Sequence, residues 1–168
     1  MGEHAGAVTY EPIGIVRSPY TTLDGMPLQT VAAPEVEAAV ALDPRVHGAL
    51  RDLDGFSHVW LLVHLHRVDG WTPEVTPFLD PERPRGVLAT RSPRHPNPIG
   101  LSLVELVAVD PGALRIRGVD LLDGTPVLDV KPYVPLFDAR DAAAVRTGWF
   151  GAAAERVRSV RSDARYGA

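Results

Sequence analysis

The sequence of 168 residues contains no cysteine, and this absence excludes several kinds of chemistry. Without thiols, the chain forms no disulfide, offers no thiolate nucleophile and binds no cysteine-ligated zinc or iron–sulfur cluster. Any metal would need histidine and carboxylate ligands, and any nucleophile would be an oxygen or a nitrogen atom.

The glycine motifs of the common nucleotide-binding folds are also absent. No Gly-x-Gly occurs, which excludes the dinucleotide fingerprint and the glycine-rich loop of Rossmann-type methyltransferases. There is no P-loop and no Gly-x-Ser-x-Gly nucleophile elbow. No stretch reaches the roughly 18 consecutive apolar residues of a membrane span, and residues 1–7 lack the apolar run of a signal peptide. We therefore expect a cytoplasmic protein with no membrane partner.

Charge is distributed unevenly along a chain whose formal net charge is −4. A nucleic-acid-binding domain is usually basic, so the total counts mildly against that class. Residues 83–104, however, contain no acidic side chain, and their basic side chains all lie between residues 83 and 95. A second basic run lies near the C-terminus and consists of Arg156, Arg158, Arg161 and Arg165. Both clusters can attract an anion locally.

Short apolar segments separated by 16 prolines and 15 glycines predict strands joined by turns. The predicted strands are residues 10–17, 35–42, 57–67, 85–89, 101–109, 114–119 and 127–133. Asp43 caps a short predicted helix through Leu50, and residues 71–84 and 91–100 are predicted loops. Because strands and helices do not alternate, we predict a mainly β protein with one antiparallel sheet that closes into a barrel.

The C-terminal part of the chain has a different composition. Residues 139–165 are rich in alanine and arginine, and Ala153, Val157, Val160 and Ala164 recur at helical spacing. This pattern predicts an amphipathic C-terminal helix that covers the barrel or a partner subunit. We expect residues 1–168 to form a single domain, with a core of about 10–149 and a helical tail of 150–168.

The loop of residues 91–100 carries the strongest functional signal. Its three prolines fix backbone angles and remove hydrogen-bond donors, so the loop is stiff. A stiff loop with Arg91, Arg94, His95 and Asn97 is typical of a functional loop held by a scaffold. The alternative interpretation is a proline-rich connection whose charges are merely solvated.

A second polar group lies on the predicted strand 127–133, where Asp129, Lys131 and Tyr133 alternate onto one face. A carboxylate, an amine and a phenol together can orient a substrate and move a proton. Alternatively, they form a solvent-exposed face with an ion pair of little energetic value.

Three histidines occur at even positions of the strand 57–67 and would share one face. Of these, His64 and His66 could together bind a metal, or could line a cavity as hydrogen-bonded imidazoles. No nearby carboxylate completes a facial triad, so we predict no metal site.

Four segments in the same order resemble the TsaA-like (TrmO-type) family. They are EPIGIVRSPY (11–20), LDGFSHVW (53–60), ATRSP followed by PNPIG (89–100), and DGTPVLDVKPY (123–133). The similarity extends from about residue 10 to 149. It implies a single-sheet antiparallel β-barrel that binds S-adenosylmethionine, commonly as a homodimer. The family activity that it implies is N6-methylation of threonylcarbamoyl-adenosine at position 37 of tRNA.

The resemblance also implies site residues. The cofactor-binding residues implied are Pro27, Leu28, Gln29, His66, Arg67, Arg91, Leu101, Asp120, Leu121, Leu122 and Asp123. For the substrate side, we predict Asp129, Lys131 and Tyr133 as catalytic residues. We predict that Arg94, His95 and Asn97 hold the acceptor. Leu28, Arg67 and His95 depart from the usual family residues, which bears on acceptor identity more than on the cofactor.

Two other functions fit the residues. One is methylation of a small metabolite, which a reshaped acceptor pocket would favour. The other is a module that binds S-adenosylmethionine or RNA without turnover. The resemblance favours the tRNA methyltransferase over both.

Overall fold

The computed structural model describes residues 6–163 and contains a closed antiparallel barrel. The strands are β1 (Gly14–Arg17), β2 (Glu37–Leu42), β3 (His58–His64), β4 (Glu74–Val75), β5 (Arg85–Gly86), β6 (Ile99–Asp110), β7 (Ala113–Arg117) and β8 (Pro126–Pro132). Around the barrel the order is β1, β2, β7, β6, β3 and β8, while β4 and β5 form a separate two-stranded ribbon. The predicted mainly β barrel is confirmed.

The helices in the described residues are all short. Two are α-helical, α1 (Pro135–Asp138) and α2 (Phe150–Ala153). The 3₁₀ turns are Thr30–Ala32, Pro44–Leu50, Leu53–Gly55, Val87–Ala89, Ala142–Ala144 and Ala154–Arg158. The predicted helix ending at Leu50 is present as a 3₁₀ helix, and the Asp43 side chain caps it by accepting a 2.9 Å bond from the Arg45 N–H. No described helix has the length and apolar character of a membrane span.

The barrel interior is filled by branched aliphatic side chains from alternate strand positions. On β3, Val59, Leu61 and Val63 are fully buried, so this strand supplies the centre of the core. Burying each such side chain stabilises the fold by about 1.5–3 kcal/mol. The inward row of β6 is Ser102, Val104 and Leu106, which are likewise buried.

The opposite row of β6 faces outward although it is also apolar. Leu101 pairs across the sheet with Leu62, and Leu103 pairs with Trp60. Together with Ile99, these residues form an outer apolar stripe, in which Ile99 is 50% and Leu101 51% exposed. This surface bears on assembly, because large exposed apolar patches commonly mark interaction sites.

The predicted C-terminal helix is present only in part, between Phe150 and Arg158. The chain forms α2 and the turn Ala154–Arg158, and then runs extended beside residues 25–27. Gly148, at a φ of +57°, interrupts the helix on its N-terminal side. Beyond Val160, strand-like bonds replace helical ones: the Gly25 N–H donates to the Ser162 carbonyl at 2.9 Å. Ala164, part of the predicted stripe, lies outside the described residues.

Residues 149–163, here called the C-terminal segment, are anchored to the loops at one end of the barrel. The Trp149 indole N–H donates to the Ala89 carbonyl at 2.7 Å. The Arg156 guanidinium donates to the Leu79 carbonyl at 3.0 Å, and that of Arg158 to the Val31 carbonyl at 3.2 Å. The C-terminal helix was predicted to cover either the barrel or a partner subunit. The C-terminal segment covers one end of its own barrel.

Candidate active site

A cavity of about 410 Å³, here called the first cavity, opens where β3 ends and β6 begins. Its volume falls in the range of small-molecule sites, about 300–1,000 Å³. Antiparallel pairing of β3 with β6 brings the loop after β3 beside residues 91–100, the loop with three prolines that leads into β6 and is here called the proline-rich loop. Lining residues come from 23–29, 65–68, 77–79, 90–102, 120–125 and the C-terminal segment.

Asp120 is a partly buried acidic group of this cavity. Its Oδ1 atom accepts a 2.7 Å hydrogen bond from the Ser102 hydroxyl. Burial raises the pKa of the Asp120 carboxyl to about 6, against opposing stabilisation of its charge by Ser102, its own backbone N–H, Arg91 and the Thr30 N–H. A cationic ligand would offset the cost of burying this charge.

Arg91 supplies an opposite charge to the same cavity. Its Nη1 atom donates to Oε1 of Gln29 at 2.7 Å, which joins the proline-rich loop to the 23–29 wall. The loop is further held by Thr90, whose hydroxyl donates to the Val87 carbonyl and accepts from the Ser92 N–H. The guanidinium therefore projects from a fixed backbone and can bind a carboxylate with little loss of entropy.

His66 and Arg67 follow β3 and line the cavity beside the proline-rich loop. Burial lowers the pKa of His66, and the neighbouring Arg67 and His64 lower it further. The imidazole therefore favours its neutral form at pH 7, in which one ring nitrogen can accept a proton. Within residues 6–163, no three histidine or carboxylate side chains are grouped to hold a metal ion.

All the predicted cofactor-binding residues except Asp123 lie in the wall of the first cavity. They are Pro27, Leu28, Gln29, His66, Arg67, Arg91, Leu101, Asp120, Leu121 and Leu122. Asp123 accepts a 3.2 Å bond from the Ser18 N–H and lies 3.7 Å from the Arg17 guanidinium. It therefore supports the turn against β1 instead of lining the cavity.

The predicted catalytic residues lie on the outer face of the barrel and do not line the cavity. Lys131 forms a 2.8 Å ion pair with Asp129. The Tyr133 ring packs edge-on against Trp60, with ring centroids 6.0 Å apart. In the sheet register, Lys131 faces Trp60 and Asp129 faces Leu62, so these side chains adjoin the outer apolar stripe. They reach a ligand in this cavity only if a second copy presents them.

The three predicted acceptor residues are divided between the cavity and the surface. His95 lines the cavity, with its Nε2 atom 3.2 Å from the Thr90 carbonyl oxygen. Arg94 and Asn97 belong to the same loop but do not contribute to the cavity wall. The backbone carbonyl of Asn97 accepts a 2.8 Å bond from the Ile99 N–H, which ends the loop at the start of β6.

Several cavity residues were not predicted from the sequence. Ser102 had a readable signal, because it is the polar member of the otherwise apolar inward row of β6. Trp149 and Phe150 had none, because their place at the cavity depends on how the C-terminal segment folds back. Their rings stack on each other at 4.0 Å between centroids.

The fold and the site together define a class: an antiparallel β-barrel with a charged small-molecule cavity at one end and no glycine-rich loop. The chain belongs to the family described as the tRNA-methyltransferase O N-terminal domain, whose model matches residues 15–139. The family resemblance seen in the four sequence segments is thereby confirmed. The C-terminal segment lies beyond the matched range.

Named relatives agree with this assignment. A probable S-adenosyl-L-methionine-binding protein of Pyrococcus abyssi is 43% identical over 159 residues, covering 95% of this chain and 85% of the relative. A tRNA (adenine(37)-N6)-methyltransferase of Escherichia coli is 38% identical over 163 residues, covering 92% of this chain and 69% of the relative. A crystal structure of TrmO from Pseudomonas aeruginosa superposes with a TM-score of 0.70 at 39% identity, covering 85% of this chain. The chain spans 62% of that solved protein.

Proposed function

We propose that this protein transfers a methyl group from S-adenosylmethionine to N6 of adenosine 37 in tRNA, in its threonylcarbamoyl form. The named relatives support both the donor and the acceptor. The observation that carries the proposal is the first cavity, where the Arg91 guanidinium and the partly buried Asp120 carboxyl line one apolar space. A ligand that bears both a carboxylate and cationic groups matches this pair of charges.

The cavity residues suit S-adenosylmethionine, which supplies a methyl group bound to a positively charged sulfur. Arg91 can donate paired hydrogen bonds to an amino-acid carboxylate. Asp120 can balance a nearby cation or accept a hydrogen bond from a hydroxyl. The side chains of Leu28, Leu101 and Leu121 present apolar surface to an adenosine ring system and exclude water from the site.

The acceptor nitrogen must also lose a proton during methyl transfer. Within one chain, the cavity groups that can accept a proton are His66, His95, Asp120 and Asp163. Asp129, Lys131 and Tyr133 remain our predicted catalytic residues on condition that a second copy presents them. A pH–rate profile of Tyr133→Phe against His66→Gln separates these two sources of the base.

The decisive experiment incubates the protein with methyl-labelled S-adenosylmethionine and bulk tRNA from cells that lack their own enzyme for this modification. We expect label in the RNA and N6-methylated threonylcarbamoyl-adenosine after nuclease digestion. Label confined to a small-molecule extract would identify a metabolite methyltransferase instead. Cofactor binding with no S-adenosylhomocysteine formed from any acceptor would identify a binding module.

We further propose that the protein acts as a homodimer through the outer apolar stripe. Leu101 belongs to the stripe and also lines the first cavity, so a second copy seated there would help to close that cavity. The Asp129–Lys131 pair adjoins the stripe on the same surface. A two-fold contact would therefore place this pair of one copy beside the other copy's cavity.

Leu62→Glu is expected to convert a dimer into a monomer, because it puts a charge in the centre of the stripe without touching the cavity wall. Light scattering coupled to gel filtration at micromolar concentration measures the change. Ile15→Glu is the matched control, since Ile15 is 38% exposed on β1, outside the stripe. A wild-type protein that is monomeric at these concentrations contradicts the proposal.

The barrel and the C-terminal segment both contribute walls to the first cavity, so we propose that they form a single domain. Since tRNA is the proposed acceptor, we also assign the protein to the cytoplasm.

A further inference from the structure

A second cavity, of about 290 Å³, lies beside the first and shares Leu79 and Trp149 with it. Three arginines line it: Arg83, Arg85 and Arg156. Asp80 is the one carboxylate among the lining residues. Glu82 and Glu155, which adjoin two of these arginines in the sequence, do not contribute to the wall. The second cavity is therefore rich in positive charge within a chain that is acidic overall.

The single carboxylate is already neutralised. Asp80 accepts two hydrogen bonds from the Arg85 guanidinium, the one from Nε at 3.2 Å. In the described part of the chain, no carboxylate forms an ion pair with Arg83 or Arg156. Two guanidinium charges at this cavity therefore have no balancing anion. Both charges would attract an anionic ligand and repel a cation.

Two of the three arginines are held in place before any ligand arrives. Arg85 is fixed by Asp80 and lies over the Trp149 ring, with its guanidinium carbon 5.4 Å from the ring centroid. Arg156 donates one N–H to the Leu79 carbonyl at 3.0 Å. A guanidinium has five N–H donors, so most of those of Arg156 remain available. Such a fixed set suits the planar, multiple hydrogen bonding of a phosphate group.

We propose that the second cavity binds a backbone phosphate of the RNA acceptor, next to the nucleotide whose base enters the first cavity. The inference rests on the proposed function and adds the RNA contact that it requires. The shared wall at Leu79 and Trp149 is the reason to assign an RNA phosphate instead of a free anion, because a base and its flanking phosphate need adjoining sites. Trp149 and Arg156 lie outside residues 15–139, so the family match does not include them.

Arg83→Gln, alone and combined with Arg156→Gln, tests this assignment. Fluorescence anisotropy with a labelled anticodon stem–loop RNA should show a Kd raised roughly three- to tenfold for the single variant and further for the double variant. The slope of log Kd against log salt concentration should fall by about 1 for each phosphate that the variant no longer binds. The Kd for S-adenosylmethionine, measured by calorimetry, should be unchanged.

Arg115→Gln is the matched control. It removes the same charge from β7, where Arg115 lies opposite Ala108 and pairs with Asp110 at the far end of the barrel. Its RNA affinity should equal that of the wild type. Thermal melting of each variant checks folding, and Arg83→Gln serves as the variant that breaks no side-chain bond within residues 6–163.

Wild-type RNA affinity and salt slope in the double variant would overturn the assignment. Titration with inorganic phosphate separates the two sources of the anion: phosphate binding abolished in the variants, with RNA binding intact, would also overturn the RNA assignment. Weakened RNA binding in the variants of a protein that transfers no methyl group would leave the phosphate site standing and reject the proposed function alone.

Discussion

Replacing Arg91 with alanine is expected to weaken S-adenosylmethionine binding about 10- to 150-fold, which corresponds to about 1.5–3 kcal/mol for a hydrogen bond to a charged group. Arg91 extends from the proline-stiffened loop and is oriented by Gln29, so its guanidinium is already in position. The substitution also removes a positive charge that lowers the pKa of Asp120. The lost contact to the carboxylate and the higher pKa of Asp120 both weaken the binding of a ligand that carries a carboxylate and a cation.

Isothermal titration calorimetry at pH 8 measures this change. Arg91→Lys keeps the charge but loses the planar fork, so it should fall between the wild type and the alanine variant. Arg115→Ala, on the far side of the barrel, controls for the change in net charge. An unaltered Kd in a folded Arg91→Ala protein would exclude Arg91 from the cofactor site.

The barrel could be predicted because its strands alternate apolar and polar residues between glycine and proline turns. The C-terminal helix could not. Ala153, Val157 and Val160 do face the protein, as the helical spacing predicts, but the chain leaves the helix after Arg158. The competing partner is the backbone at residues 25–27, and hydrogen bonding to a segment so distant in sequence leaves no local pattern.

The buried face of β6 illustrates a second limit. Leu101 and Leu103 alternate with Val104 and Leu106, so both faces are apolar and the alternation does not identify the inward one. A related limit applies to β8. Asp129 and Lys131 share a face, as predicted, but that face points away from the first cavity of the same chain. Whether it lies beside the cavity of a second copy depends on the dimer, and the sequence of the strand does not specify that contact.

The site was easier to locate than its details. The loop 91–100 could be recognised because stiff polar segments carry chemistry, and the turn at Asp120 was implied by the family resemblance. Both segments line the first cavity. A structure with the two segments on opposite sides of the molecule would have contradicted the predicted site. Ser102 and Trp149 complete the cavity through the inward row of β6 and the C-terminal segment, both of which depend on tertiary packing.

Asp120→Asn is expected to stabilise the ligand-free protein while weakening cofactor binding. The folded-state pKa of Asp120, about 6, lies above its ordinary value of 3.8, so ionisation opposes folding. This cost is absent well below pH 4 and fully present above pH 6; its upper limit is about 3 kcal/mol. Asparagine removes the charge and can still accept the Ser102 hydrogen bond. We therefore expect the free energy of unfolding in urea to rise by about 1–3 kcal/mol at pH 8.

The same variant should bind S-adenosylmethionine at least about tenfold more weakly at pH 8, because the cation loses its buried counter-charge. Asp123→Asn is the matched control: its carboxylate lies three residues away, outside the cavity, and should give neither effect. A stability gain without a loss of affinity would show that Asp120 does not contact the ligand's positive charge.

The Kd for S-adenosylmethionine should also depend on pH in the wild type, and much less in the Asp120→Asn variant. If the ionised carboxyl binds the cation, a pKa of about 6 makes the Kd about tenfold higher at pH 5 than at pH 7. His66 and His95 also line this cavity and are present in both proteins, so the comparison with Asp120→Asn isolates the carboxyl contribution. Parallel pH profiles for the two proteins would assign the dependence to the histidines and remove Asp120 as the counter-charge.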